Sequence, residues 1–455
     1  MYGYDRNTTP NLKQLSDRSS TTIIDPAFSA SLWTPASTAS MLTGTHLSTH
    51  RVGADGKAKK ELPESLDTLP GLLARKGYKT ALFSTNYYIS HQTGLDRGFQ
   101  SEEVIAVQKS NFVGIKSYSR DTWLCALQRV LEGPTFNLAR LKGDIANSDN
   151  CLLAKRVERW FSDQYEGEQP FFAFAHIPSP HHPYKPITRF RDAFAEEIGE
   201  NINDAYDLAQ RVYAGSEEIK KRMAIGLDLS NPEWEGIKAL YDAELLYADH
   251  VANRIISVAE TSSCGPLHVV ITGDHGELFG EHGLIGHNLV LHDGVTRVPM
   301  IVTGLEGIKT GDGTLTQHID VTQTIANEAG VNSEQFEGRD LRNGDRSYAI
   351  SQRGVGQLDK YTKFDNSFDA SRFFRWPFTC VRTQNYKYVA NKYRSALYEL
   401  PDETRNVEEE HPSIVDRLSD IVDREELDWS RQVEQEDVEF DERARKQLQD
   451  LGYIS

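Results

Sequence analysis

The stretch LHVVITGDHGELFGEHGLIGH, Leu267 to His287, decides how this chain reads. It starts as a short apolar run rich in β-branched residues and breaks at Gly-Asp-His-Gly. Such a run is too short for a buried helix and suits a central strand. In open α/β sheets the carboxyl ends of strands carry the ligands, because the strand fixes the backbone while the loop frees the side chains. Asp274 and His275 stand at that end. Gly273 and Gly276 flank them and are expected to permit the bend that aims both side chains one way. The pair is expected to form half of a divalent-metal site. The zinc-protease pattern HExxH does not apply, because it needs two histidines four apart on one helical face. His275 and His282 are seven positions apart, with two glycines between them.

Working outward, three more short runs read as central strands: Lys79 to Thr85, Pro170 to Ile177 and Val298 to Thr303. LDTLPGLLARKGY reads as a helix stopped by glycine, and the segment from Asn231 to Glu260 as a long amphipathic helix with Pro232 in its first turn. This alternation predicts an α/β fold, a mostly parallel doubly wound sheet with helices on both faces. Beyond about residue 335, SYAISQRG, FTCVRT, YKYVAN and SALYEL are alternating segments separated by turn residues, and predict a small antiparallel sheet. A helix near Pro412 to Val422 and an acidic tail follow. The expected division is residues 1–335 as an α/β catalytic domain and 336–455 as a small C-terminal β-sheet and helix subdomain. Segments Ser110 to Asn150 and Phe190 to Arg222 are expected to lie as loops and helices over the sheet.

The 455 residues carry a net charge of −17, which disfavours nucleic acid or an anionic membrane as a partner. No apolar run approaches the ~18–20 residues of a membrane-spanning helix. Cys125, Cys151, Cys264 and Cys380 are scattered without CxxC spacing, as expected of thiols in a reducing compartment. Together these features predict a soluble, acidic, cytoplasmic protein. Any positive charge for an anionic substrate must then be local, from a metal and helix ends.

GDHGELFGEHGLIGH followed by RVPMIVTG resembles the C-terminal metal-site signature of the sulfatase family, within the alkaline-phosphatase-like superfamily. Further segments match in the family's order: WTPASTASMLTGTHLSTHRVG (Trp33 to Gly53), GYKTALFSTNYYISHQTGLDRGF, HIPSPHHPYKP (His176 to Pro186), HIDVTQTIANEAG and LGYIS. The resemblance implies Asp274 and His275 as metal ligands for Ca, Mn or Zn. Histidine, where many sulfatases have Asn, turns the choice toward Mn or Zn. It implies Thr34 as nucleophile, His287 on the substrate's non-bridging oxygens, and His181 facing the substrate or leaving group, with His182 as the fallback. His282 and His292 are expected in the loop or behind the site, and Glu277 and Glu281 as braces. The substrate implied is a small-molecule or glycan sulfate or phosphate ester.

The departures matter as much. Thr34 falls where sulfatases carry the Cys or Ser that becomes formylglycine, and threonine cannot be so oxidised. The Arg of the family's signature aligns with Thr38, and its Gly-Lys-Trp-His segment with Thr85-Asn86-Tyr87-Tyr88, without either cation. Phosphate-ester or phosphodiester cleavage is therefore expected at least as readily as sulfate-ester cleavage. The family also places a strand ahead of MYGYDRNTTPNL whose end supplies Asp ligands. Asp5 does not match them, so two side chains plus a hydroxyl would leave the metal under-coordinated and the sheet with exposed apolar edges. Three outcomes stay open: a metal-dependent hydrolase, a phosphoryl or sulfuryl transferase of the same fold, or an inactive binding protein.

Overall fold

The computed structural model describes residues 2–104, 149–163, 165, 167–311, 313–344, 346–425, 427, 429 and 433–450. Most of the Ser110 to Asn150 segment lies outside the described residues. Chain order runs through strands β1 (Thr21–Phe28), β2 (Lys79–Ser84), β3 (Ser101–Val104), β4 (Phe171–His176) and β5 (Val269–Thr272). The small hairpin β6 (Leu278–Phe279) and β7 (Ile285–Gly286) precedes β8 (Arg297–Thr303) and β9 (Thr316–Gln317). One sheet has the order β3-β2-β4, all parallel. The other has the order β5-β8-β1-β9, in which β8 alone runs against its neighbours. The expected α/β, mostly parallel arrangement is the one found.

Period-two burial explains the layers. On β2, Ala81 and Phe83 pack on Cys151, Leu153 and Trp160 of the Asp149–Asp163 helix. Leu82 faces the other way, onto Ala39 and Leu42 of the Thr34–Thr43 helix. The long helix runs Asn231–Ser262, started by a capping box between Ser230 and Glu233 and by Pro232. Over Phe190 to Arg222 the chain forms helices Ile202–Val212 and Ser216–Ile225, whose apolar faces join the same core as Ile237 and Leu240 of the long helix. β1 was not anticipated from sequence. Asp25 and Pro26 interrupt its apolar run, and the register against β8 shifts at that point, between Ile24 and Ala27.

Between β4 and β5 the sheet is split. Among the described residues β4 pairs only with β2, and β5 only with β8. Both border one cavity of about 1650 Å³, whose walls include Phe171, Phe174, Val270 and Ile271. Every residue of these two strands is half-buried, although nearly all are apolar.

The C-terminal strands β10 (Ala349–Arg353), β11 (Phe378–Arg382), β12 (Tyr386–Ala390) and β13 (Ser395–Glu399) form an antiparallel meander. Val381, Tyr388 and Leu397 face Leu418 and Ile421 of the Pro412–Arg424 helix. Cys380, Val389 and Ala396 face the opposite way, into a core shared with Ile237, Leu278 and Val295. That core contains residues from both sides of position 335.

Lys387, on this inner face, is buried with its Nζ 2.5 Å from both Asp293 Oδ1 and Glu403 Oε2 and 3.1 Å from the Leu291 carbonyl. Burial disfavours its charge, but the two carboxylates outweigh that and raise its pKa. Replacement by a neutral side chain leaves buried Glu403 without its cation, while Asp293 keeps Arg382 at 3.1 Å. Lys387→Met is expected to lose ~3–5 kcal/mol of stability, measured by denaturant unfolding.

Glu244, inside the long helix, accepts from the Lys185 backbone N–H at 3.0 Å and bonds the Ser179 hydroxyl, so it anchors the loop that carries His181 and His182. Burial raises its pKa to about 7, the two hydrogen bonds opposing. A pKa above the unfolded value means stability that is complete below the ordinary carboxylate range and lost as pH rises through about 7. Glu244→Gln keeps a neutral side chain of the same shape. Its melting temperature relative to wild type should rise between about pH 5 and about pH 8, corresponding to up to ~3 kcal/mol.

Candidate functional site

The Thr34–Thr43 helix begins at the end of an extended Trp33, which occupies the N-cap position without a side-chain cap. Thr34 is the first helical residue, followed by Pro35. Its hydroxyl is therefore not spent on capping the helix. It is 1% exposed, and Oγ1 lies 3.5 Å from His275 Nε2. Trp33 is held against Tyr88 edge to face, and Gly53 leaves it room: a Cβ there would come within 2.7 Å of the indole ring.

The facing wall is the turn after β5. The Gly276 N–H donates to the Val295 carbonyl at 2.7 Å, and a Cβ at Gly276 would sit 2.3 Å from the Gly294 carbonyl oxygen. The glycine is required by this close approach. The expected backbone bend is not its reason, because neither Gly273 nor Gly276 is among the positive-φ glycines. His318 Nε2 sits 3.0 Å from the Gly273 carbonyl and steadies the turn from behind. His275 Nδ1 lies 2.9 Å from the Gly276 carbonyl, where it donates its proton. That tautomer leaves the Nε2 lone pair facing Thr34. Asp274 Oδ1 accepts from the His275 N–H, while Oδ2 is buried without a hydrogen-bond partner. Burial works to raise the Asp274 pKa, but His275, His176 and the Thr34 hydroxyl outweigh it and hold the carboxylate well below its ordinary range.

Asp274 Oδ2 and His275 Nε2 are 3.6 Å apart, and His275 Nε2 and Thr34 Oγ1 are 3.5 Å apart. Neighbouring donors on a tetrahedral ion with ~2.1 Å bonds are separated by about 3.4 Å. The orphaned carboxylate oxygen and this spacing fit a divalent cation.

A second cluster stands beside the first. His181 lines the cavity, as do Thr34, Asp274 and His275. His287 does not reach the cavity wall. It lies one ring behind, 4.2 Å from the His275 ring and 5.2 Å from that of His181, with Nδ1 3.0 Å from Glu277 Oε1. The ligating atoms of His181, His182 and His287 all lie within 4.8 Å of one another. Burial, reinforced by neighbouring histidines, pushes His181 down to about 3 and holds His182 and His287 well below their ordinary value. These rings are neutral at physiological pH.

The remaining expected residues fall into place around the loop. Glu277 braces His287, and Glu281 accepts from the Phe279 N–H at 2.5 Å. His282 sits at positive φ against His292, whose Nδ1 accepts from the Gly294 N–H, and neither lines the cavity. Sequence reasoning passed over His176. It ends β4 as Asp274 follows β5, and it lines the same cavity. Its strand-end position was the available signal, masked by the two histidines of PHHPY.

No helix among the described residues is long and apolar enough to cross a membrane. The description "Sulfatase" applies to the family whose model matches residues 1–331. An uncharacterized sulfatase of Escherichia coli (strain K12), YidJ, is 26% identical over 59% of this chain and 52% of its own length. A choline-sulfatase of Rhizobium meliloti (strain 1021) is 26% identical over 72% of this chain and 64% of its own. The chain thus spans between about half and two thirds of these relatives. Among solved structures, the phosphonate monoester hydrolase of Agrobacterium radiobacter superposes with a TM-score of 0.67 at 16% identity, over 94% of this chain and 92% of that one. That likeness is one of fold. With the family match spanning most of its length, the chain belongs to the sulfatase family.

Proposed function

We propose that this protein is a metal-dependent hydrolase of sulfate or phosphate esters that uses Thr34 as its nucleophile. The observation that carries the reading is the buried Thr34 hydroxyl, unused in capping and 3.5 Å from His275 Nε2. Asp274 and His275 would hold the cation, and an imidazole in the set suits Mn or Zn better than Ca. When bound, such an ion supplies Lewis acidity that favours the alkoxide of Thr34 and draws charge from the ester oxygens.

The chain's own residues account for the rest. Thr34 Oγ1 attacks phosphorus or sulfur, and the bond to the ester oxygen of the alcohol or phenol breaks. The hydroxyl proton passes to solvent in the cavity, and the leaving oxygen gains a proton from it. A threonine ester results, and attack by water then releases phosphate or sulfate and restores the hydroxyl. The first turn of the Thr34–Thr43 helix points its N-terminal partial charge at the same place, which favours an anion in a protein that is acidic overall. His181, on the cavity wall, would hydrogen-bond the non-bridging oxygens or the leaving group. His287, one ring behind and paired with Glu277, sets the positions of His181 and His275.

Because threonine cannot furnish an aldehyde hydrate, phosphate esters are expected to turn over at least as readily as sulfate esters. A cavity of about 1650 Å³ has room for a small-molecule or a glycan ester. Cys151, Cys264 and Cys380 form no disulfide among themselves, which suits a reducing, cytoplasmic setting.

The test is release of inorganic phosphate or sulfate from aryl esters. Thr34→Ala should abolish chelator-sensitive turnover, by on the order of 10⁴–10⁶-fold, with an unchanged melting temperature. Turnover surviving in that variant would remove Thr34 from the mechanism. Product appearing only on an added alcohol or sugar would mark a transferase.

A further inference from the structure

The geometry points to His176 as a further protein ligand of the same cation, through Nε2, beside the His275 imidazole, the Asp274 carboxylate and the Thr34 hydroxyl. The inference rests on the metal-centred reading above.

Three donor pairs have nearly one length. Thr34 Oγ1 to His275 Nε2 is 3.5 Å, His275 Nε2 to Asp274 Oδ2 is 3.6 Å, and His176 Nε2 to Asp274 Oδ2 is 3.7 Å. Each pair is too far apart for a good hydrogen bond and close to the ~3.4 Å expected between donors around one tetrahedral ion. Asp274 Oδ2 is common to two of the pairs and has no hydrogen bond of its own. A simple His176–Asp274 ion pair would close to hydrogen-bonding distance, as His287 does on Glu277 at 3.0 Å. Among the described residues nothing else claims the His176 ring: its Nδ1 is buried and makes no hydrogen bond.

The backbone supports the same reading. His176 is the last residue of β4, and Asp274 follows β5 by two positions. The two strand ends face each other across the cavity, and both side chains line it. Two histidines and one carboxylate, plus the threonine hydroxyl, form a four-donor set, where sequence reasoning found only two side chains and a hydroxyl. Two nitrogen donors suit zinc or manganese and argue against calcium.

The test uses the whole chain, stripped with a chelator and titrated with Zn²⁺ or Co²⁺. X-ray absorption of the zinc-loaded wild type should show two imidazole rings in the first shell. His176→Ala should weaken Zn²⁺ binding at least ~100-fold and shift the visible Co²⁺ band away from four-coordination. His268→Ala, in the same strand region but half-exposed and outside the donor set, should leave both readings unchanged. One imidazole in the wild type, or an unaltered affinity and Co²⁺ band in His176→Ala, overturns the assignment while leaving Asp274 and His275 in place. A wild type that binds neither ion overturns the metal-centred reading itself, and this inference with it.

Discussion

Thr34 and His275 are 241 positions apart in the chain, yet Thr34 Oγ1 and His275 Nε2 are separated by 3.5 Å. Everything else in the architecture serves that contact. β1 and β8 pair antiparallel, and the chain leaving β1 crosses to Trp33 and the helix that starts at Thr34. β5 pairs with β8 on its other edge and delivers Asp274 and His275 to the same level. The Gly276 N–H to Val295 carbonyl bond then sets the turn, at a distance that admits no side chain at Gly276. The C-terminal sheet completes the frame, because Lys387 pins Asp293 and the Leu291 carbonyl just beyond this turn.

Electrostatically the site is built against the grain of the molecule. With a net charge of −17, the chain's overall field would not attract the anionic ester proposed as its substrate. Three neutral histidines, two of them buried and one backed by Glu277, avoid the cost of desolvated charge while keeping nitrogen atoms available. Partial positive charge comes from a helix N-terminus, and the Asp274 environment fits a cation. Burial works to raise both carboxyls; His275, His176 and Thr34 outweigh it at Asp274, whereas at Glu277 burial prevails and the pKa is raised.

Much of this was legible in the residues. The apolar run into Gly-Asp-His-Gly specified a strand followed at once by Asp274 and His275, and Pro232 with the Ser230–Glu233 box specified the long helix's start. The alternating segments past residue 335 gave the meander, since each alternate side chain has a distinct face to fill. What escaped were features that depend on three-dimensional neighbours. β1 hid behind Asp25 and Pro26, which a bulge accommodates. The need for Gly276 comes from a strand neighbour, with no local φ to reveal it. In PHHPY no pattern could say that His181 reaches the cavity while His182 turns inward, or that His287 stops one ring short. His176 had only its position at a strand end to distinguish it.

The most direct test of the central claim is to acid-quench the protein during turnover of an aryl phosphate or aryl sulfate and map the modified peptide by mass. The account predicts a phosphoryl or sulfuryl group on Thr34, within the peptide spanning Trp33 to Thr43. The group on any other residue, or steady product release with no burst and Thr34 unmodified throughout, would contradict it.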